Sequence, residues 1–302
     1  MTGKALLRQW RWPLIGVALV LLALRMADGM VQDWGRLANG FDNLRAFWRE
    51  SVWPPDWSVL QPRAYPVCPH EGWRDIACST AYIGMVETLK IAFIATVFGT
   101  MLSLPLSLAA ARNLNPKPVT FLTRGVLAAC RSLPSIVWAI FFVILIGLGP
   151  LAGILAMTVY TVGYLGKLQY EAIEGLDRGP LDASRAVGHG WLERNLGVVL
   201  PEAANGLISQ TIFMFEYNVR HGTVIGIVGA GGIGYYINLY LRFLQYDKVV
   251  AYLIIIFVAV LLLDQASILA RSVFTDERDV QRPSWWSVFL PAAALTRGDD
   301  EE

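Results

Sequence analysis

Long apolar runs alternate along this chain with short polar, basic or glycine-rich breaks, and the runs are blocked rather than periodic. Uncharged runs of this length are membrane-crossing helices rather than strands or amphipathic surface helices. Six spans are predicted, at about residues 12–24, 81–111, 119–147, 151–165, 201–221 and 249–270. Pro105 predicts a kink in the second. The first has a short uncharged core and also reads as a cleaved signal peptide. A retained helix is favoured, because Ala-x-Ala-like cleavage chemistry is missing after Leu24. The parts expected are an N-terminal transmembrane helix (1–27), an interfacial segment (28–80), a membrane core (81–272) with a polar loop at 171–201, and a charged tail (273–302).

Composition agrees. With 55% hydrophobic residues among 302 and a mean hydropathy of +0.47, the chain is too apolar for a soluble domain of its length. A net charge of +1 gives no reason to expect a nucleic-acid partner. The placement of charge is more informative. Lys4, Arg8 and Arg11 precede the first span, Arg112 and Lys117 mark a short turn, and Lys167, Arg178, Arg185 and Arg194 lie in or beside the polar loop. By the positive-inside rule these positions and both termini are cytoplasmic.

Residues 28–80 then fall on the periplasmic side and are rich in aromatic residues, including Trp34, Phe41, Phe47, Trp48, Trp53 and Trp57. That density suits a segment lying along the membrane surface. Cys68 and Cys78 fall here, and an exported loop lets them form a disulfide. His70 lies between them, but two Cys and one His lack a fourth ligand, so no metal is expected. Cys130, in an apolar helix, reads as an inert core residue.

The loop at 171–201 is polar between two apolar spans. Small residues Ala183, Ser184 and Ala186 leave one short helix with little bulk, and Gly188 with Gly190 supplies a turn where positive φ is cheap. A second short helix is expected at 191–196, before Pro201 opens the next span in its first turn. Two short helices at right angles would make a knob for another protein's groove; a plain solvated loop is the alternative.

Two glycine motifs are refused by context. Gly229-Ala230-Gly231-Gly232-Ile233-Gly234 fits a dinucleotide fingerprint, yet membrane spans bracket it and no βαβ domain is available. Its small residues suit close helix approach and a re-entrant or broken backbone. Gly166-Lys167 lacks the first Gly and the Ser/Thr of a phosphate-binding loop, so the chain itself is not expected to hydrolyse ATP. Glu216, Asn218 and Arg220 sit inside the fifth span, where charge is a pathway or gate candidate. Glu216 and Arg220 also lie four apart on one face and can form a structural pair. Arg131 and Asp264 are weaker candidates. No catalytic triad or HExxH arrangement is visible.

Asp182-Ala183-Ser184, then Gly188, then Val198-Val199-Leu200-Pro201 resembles the EAA loop of permease subunits of ATP-binding-cassette importers. Arg131-Ser132-Leu133-Pro134, residues 147–153, Gly166-Lys167-Leu168, Glu171-Ala172-Ile173-Glu174, Glu216-x-Asn218-Val219-Arg220 and residues 228–234 are similar to the phosphonate importer permeases, the PhnE family. The likeness covers roughly residues 50–272; phosphite, hypophosphite and phosphate permeases look alike at this level. It implies an all-α, six-helix, MetI-like importer permease fold in the bacterial inner membrane. It also implies a second copy of the chain, cytoplasmic ATPase subunits that bind ATP and Mg, and a periplasmic substrate-binding protein. ATPase coupling would fall to Asp182, Ala183, Ser184, Gly188, Leu200 and Pro201, and translocation or gating to Glu216, Asn218, Arg220, Gly229, Gly231 and Gly232. The alternative from another class is an integral membrane enzyme acting on lipid, for which no converging catalytic cluster is seen.

Overall fold

The computed structural model describes residues 3–31, 34–63 and 72–274. The chain divides into two compact units with the boundary after Pro54. The first holds α1 (Gly3–Met30) and α2 (Gly35–Phe47), which runs into a π-helical turn, Trp48–Val52. The Trp34 indole donates to Asp28, and Trp48 stacks on Trp53. The Cys68 and His70 readings lie outside the described residues, as does the tail beyond residue 274.

The second unit is a helical bundle built around α3 (Thr80–Ala110) and α6 (Pro150–Glu174). Ser79 caps α3 by accepting from the Tyr82 amide at 3.2 Å. One face of α3 is lined by small or slender side chains, Ala81, Ile91, Ala92, Ala95, Thr96 and Gly99, all buried. Such a face lets backbones approach closely, the form of attraction left to helices once lipid removes the hydrophobic drive. A Cβ at Gly99 would lie 2.2 Å from Thr161 of α6, and one at Gly163 of α6 would lie 2.6 Å from the Arg131 backbone.

Among the described residues, four helices are long and apolar enough to cross a membrane: α3, α6, the helical stretch Trp191–Val228, and α11 (Tyr246–Phe274) over Tyr246–Ser272. The expected third span is not one straight helix. It is α4 (Lys117–Ser132) and α5 (Ser135–Ile146), bent by 83°, and makes a fifth crossing if the pair is one broken span. Pro134 causes the break, because the residue before a proline is driven from helical to extended backbone, here Leu133 at φ −104°, ψ 139°. The Trp138 indole then donates to the freed Cys130 carbonyl at 3.0 Å.

Two further boundaries move. α6 continues past the expected end at Leu165 to Glu174, with Lys167 and Glu171 paired on one helical face. The next span begins before Pro201: α8 (Trp191–Arg194), a π turn (Asn195–Val199) and α9 (Leu200–Ile225) follow without a break. Proline lacks an amide hydrogen and cannot close the ordinary helical bond to residue 197, which suits the looser π turn just ahead of it. After α9 come a 3-10 turn (Gly226–Val228), a glycine loop, and α10 (Ile233–Arg242), which is too short to span and packs on α3.

Candidate functional site

The loop at 171–201 rests on the α3–α4 connection. Glu174, at the end of α6, accepts from the Arg112 amide and from the Arg124 guanidinium. Arg124 also donates to the Ala110 carbonyl at 3.0 Å and lies 4.2 Å over the Tyr170 ring. Arg185 reaches the Asn113 carbonyl at 2.6 Å, and the Trp191 indole donates to Asn115 Oδ1 at 3.0 Å. A second apolar core, including Leu108, Leu114, Ile173, Leu181, Val199 and Leu207, fills the space beneath.

Within the loop, α7 (Arg178–Ala186) starts on the Asp177 cap and buries Leu181 and Ser184. Ser184 bonds the His189 ring at 3.1 Å, while Asp182 pairs outward with Arg185 and Ala183 is exposed. Gly188 has φ +88° with open space around it, as its turn requires. Gly190 does not share that role: at φ −64° it caps α8, where its amide donates to Glu193 at 2.9 Å. Leu200 packs against the second core, and Pro201 is exposed in the first turn of α9. The outer side of this element carries Val187, Trp191, Leu192 and Leu196, 45–73% exposed. These apolar side chains are held out on a loop braced against the α3–α4 turn.

The charged pair expected on α9 does not form. Glu216, 5% exposed, accepts from Arg271 at 2.6 Å, and Arg220 donates to Asp264 at 2.6 Å. Both partners are on α11, whose antiparallel course brings opposite charges level with each residue. An i,i+4 pair is worth only a few tenths of a kcal/mol, so neighbouring-helix partners prevail. Asn218, 1% exposed, donates to Thr96 and Thr161 at 2.9 and 3.0 Å and ties α3, α6 and α9 together.

The glycine loop is a packed plug. Gly229, Gly231 and Gly232 all have positive φ, and the Gly229 carbonyl accepts from the Gly149 amide at 2.9 Å. The Ile233 amide donates to Thr88 Oγ1 at 2.9 Å, and a Cβ on Gly232 would lie 2.5 Å from that hydroxyl. The loop therefore closes onto α3 and the start of α6. Elsewhere, between α3, α9 and α11, the bundle holds an open, apolar cavity of about 510 Å³ lined by Phe93, Thr100, Phe215, Leu263 and Ser267 among others.

Sequence reasoning missed two things. One is the brace of Arg124 and Glu174, whose signal was an acidic residue just past an apolar run and an Arg inside another. The other is an aromatic pile formed by Tyr160 and Tyr164 of α6 with Tyr217 and His221 of α9. Its signal was the same four-residue spacing in two separate helices.

The family model described as the inner membrane component of binding-protein-dependent transport systems matches residues 103–271. The phosphate-import permease protein PhnE of Mycolicibacterium smegmatis is 38% identical over 192 residues, 63% of this chain and 36% of that protein, so the match spans about a third of that relative. The phosphite transport system permease protein PtxC of Stutzerimonas stutzeri is 39% identical over 243 residues, 80% of this chain and 82% of that one. Among solved structures, the MetNI methionine ABC transporter in an inward-facing conformation superimposes with a TM-score of 0.57 at 25% identity, covering 64% of this chain and 94% of that one. The fold is thus MetI-like, and the chain belongs to the family of binding-protein-dependent transport system inner membrane components.

Proposed function

We propose that this chain is the membrane-spanning permease of an ATP-binding-cassette importer for phosphonates or related phosphorus oxyanions. The observation that carries the coupling role is the exposed apolar cluster at Val187, Trp191, Leu192 and Leu196, braced by Arg185 and Trp191 on the α3–α4 turn. The relatives named for phosphate and phosphite import support the ligand class.

On this reading the chain acts as a homodimer with two cytoplasmic ATPase subunits, which supply ATP and Mg chemistry, and a periplasmic protein that delivers the anion. Both termini and the 171–201 loop face the cytoplasm. Closure of the ATPase pair moves the loop, and the continuous stretch from α8 into α9 carries that motion into the spans, which rock between two states. Cys68 and Cys78 pair in the exported segment; thiol labelling of unreduced protein that finds both free refutes this. The test of function is ATP hydrolysis by the purified complex with its binding protein, across a panel of phosphonates, phosphite and phosphate. Stimulation by at least one of them is expected, and stimulation by none overturns the proposal.

A further inference from the structure

The polar side chains of α9 divide among its faces. Glu216 and Arg220 are spent on α11, and Asn218 is spent on α3 and α6. A third face carries Tyr217 and His221, with Tyr160 and Tyr164 of α6 beside them, all four only partly buried. Their rings lie in one pile. Tyr217 stacks on His221 at 3.8 Å between centroids, on Tyr160 at 5.9 Å and on Tyr164 at 5.6 Å, with interplanar angles of 9–23°. One turn further along α6, Lys167 continues the same side of the helix, 3.5 Å from Glu171.

Hydrogen bonding within the pile leaves donors unspent among the described residues. The Tyr160 and Tyr217 hydroxyls are 2.9 Å apart, and since one donates to the other, the acceptor's own hydrogen is still available. His221 Nδ1 lies 3.1 Å from the Tyr217 carbonyl. A carbonyl only accepts, so Nδ1 carries the hydrogen and Nε2 is left over. Stacking holds these groups rigidly.

Such a face suits neither lipid nor a dry helix interface. The surfaces of the bundle fit for lipid are apolar, as on α3 with Phe93, Phe98 and Met101 and on α5 with Phe141 and Ile144. Dry helix contacts in membranes use small residues, not four rings, and would bury the unspent donors at a cost. A hydroxyl donor and an imidazole acceptor, with the Lys167–Glu171 pair one turn away, match instead a hydrated wall passed by a partly protonated anion.

We propose that Tyr160, Tyr164, Tyr217 and His221 form an intramembrane contact site for the tetrahedral phosphorus oxyanion, in which a tyrosine hydroxyl donates to an anionic oxygen and His221 Nε2 accepts from the P–OH of the singly ionised ligand. This rests on the transport reading above. It moves substrate contact from the Glu216 and Arg220 carboxylate and guanidinium to an adjacent face of the same helix.

The test uses the whole complex with its ATPase and binding protein in proteoliposomes, measuring uptake of phosphite and methylphosphonate. Loss of a hydrogen bond to a charged ligand lowers a rate roughly tenfold or more. The Tyr160→Phe, Tyr217→Phe double variant keeps the stacking and is expected to lower maximal uptake by about that factor, with the concentration for half-maximal uptake, set by the binding protein, unchanged. Uptake within about twofold of wild type overturns the site. Independently, Tyr164→Cys in a Cys130→Ala background should react with a charged, membrane-impermeant thiosulfonate, and more slowly with phosphite present. Reaction with a lipid-soluble maleimide alone, or spontaneous cross-linking between copies, overturns it even where the double variant fails to assemble. A wild-type complex that takes up no phosphorus oxyanion instead sinks the transport reading.

Discussion

Arg220 donates to Asp264 across the α9–α11 contact at 2.6 Å, and Glu216, one turn earlier on the same face of α9, is left to Arg271. Two ion pairs of opposite sense, a cation of α9 in one and an anion of α9 in the other, therefore fix the antiparallel register of the two helices. Sliding α11 by one turn would place uncharged residues such as Val260, Leu261, Ser267 and Ile268 opposite the α9 charges, so the pairs oppose slippage as well as separation.

Double-mutant cycles test that register. Arg220→Ala with Asp264→Ala, and Glu216→Ala with Arg271→Ala, should each show coupling of roughly 0.5–3 kcal/mol in thermal unfolding of the purified chain. Glu216→Ala with Arg220→Ala should couple by no more than about 0.5 kcal/mol, the scale of an i,i+4 pair. The reverse ranking would mean that the charges pair along α9.

Gly188→Trp is expected to leave assembly intact and to uncouple transport from ATP hydrolysis. There is room for the side chain, but φ +88° costs a non-glycine residue about 1–2 kcal/mol, and the indole would stand among Val187, Trp191 and Leu192. Uptake and hydrolysis measured on the same preparation check it, and normal uptake at normal assembly would refute it.

Gly232→Ala should be far more damaging to the protein itself. It combines φ +79° with a contact of 2.5 Å to Thr88 Oγ1, which already holds the Ile233 amide. Yield of folded complex should fall for Gly232→Ala and recover partly with Thr88→Ala, which removes that hydroxyl. Equal yields for wild type and Gly232→Ala would show that the loop is not a packed plug.

Asp56 provides a pH signature. The Ser58 amide at 2.8 Å, then the Ser58 hydroxyl, and more weakly Lys248, hold its carboxyl below the usual carboxylate value, against a small opposing effect of burial. A depressed folded pKa means stability that is present above the unfolded value of about 3.9 and lost as pH falls through the folded one. Wild type should therefore lose its thermal-stability advantage over Asp56→Asn below about pH 4. A constant difference from pH 7 to pH 3 would count against this.

Much of the architecture was legible because lipid simplifies the code. Apolar runs announced α3, α6, α9 and α11, and the small residues and Gly188 of the polar loop announced its two short helices and the turn between them. The bend at Leu133 was written in Pro134, but hydropathy counts residues and is blind to direction. α6 outran its apolar core because Lys167 and Glu171 neutralise each other along one face. The partners of Glu216 and Arg220 were not legible, since Asp264 and Arg271 lie more than forty residues away in sequence and only helix packing sets their height. The aromatic pile escaped for the same reason: two tyrosines four apart, and a tyrosine and a histidine four apart, look unremarkable until their helices are side by side.

The π turn at Asn195–Val199 sets a phase. A π turn holds one residue more than the α-helical turn it replaces, and each residue of an α-helix advances about 100° around the axis. Because the extra residue is taken up within a single turn, α8 with Trp191 and Leu192 keeps the angle to the ion-paired and aromatic faces of α9 that an α-helix one residue shorter would give. A one-residue deletion within Asn195–Val199 would therefore straighten the turn and keep the direction of Trp191 and Leu192, whereas the same deletion in the regular α-helix just after it would swing them by roughly 100°.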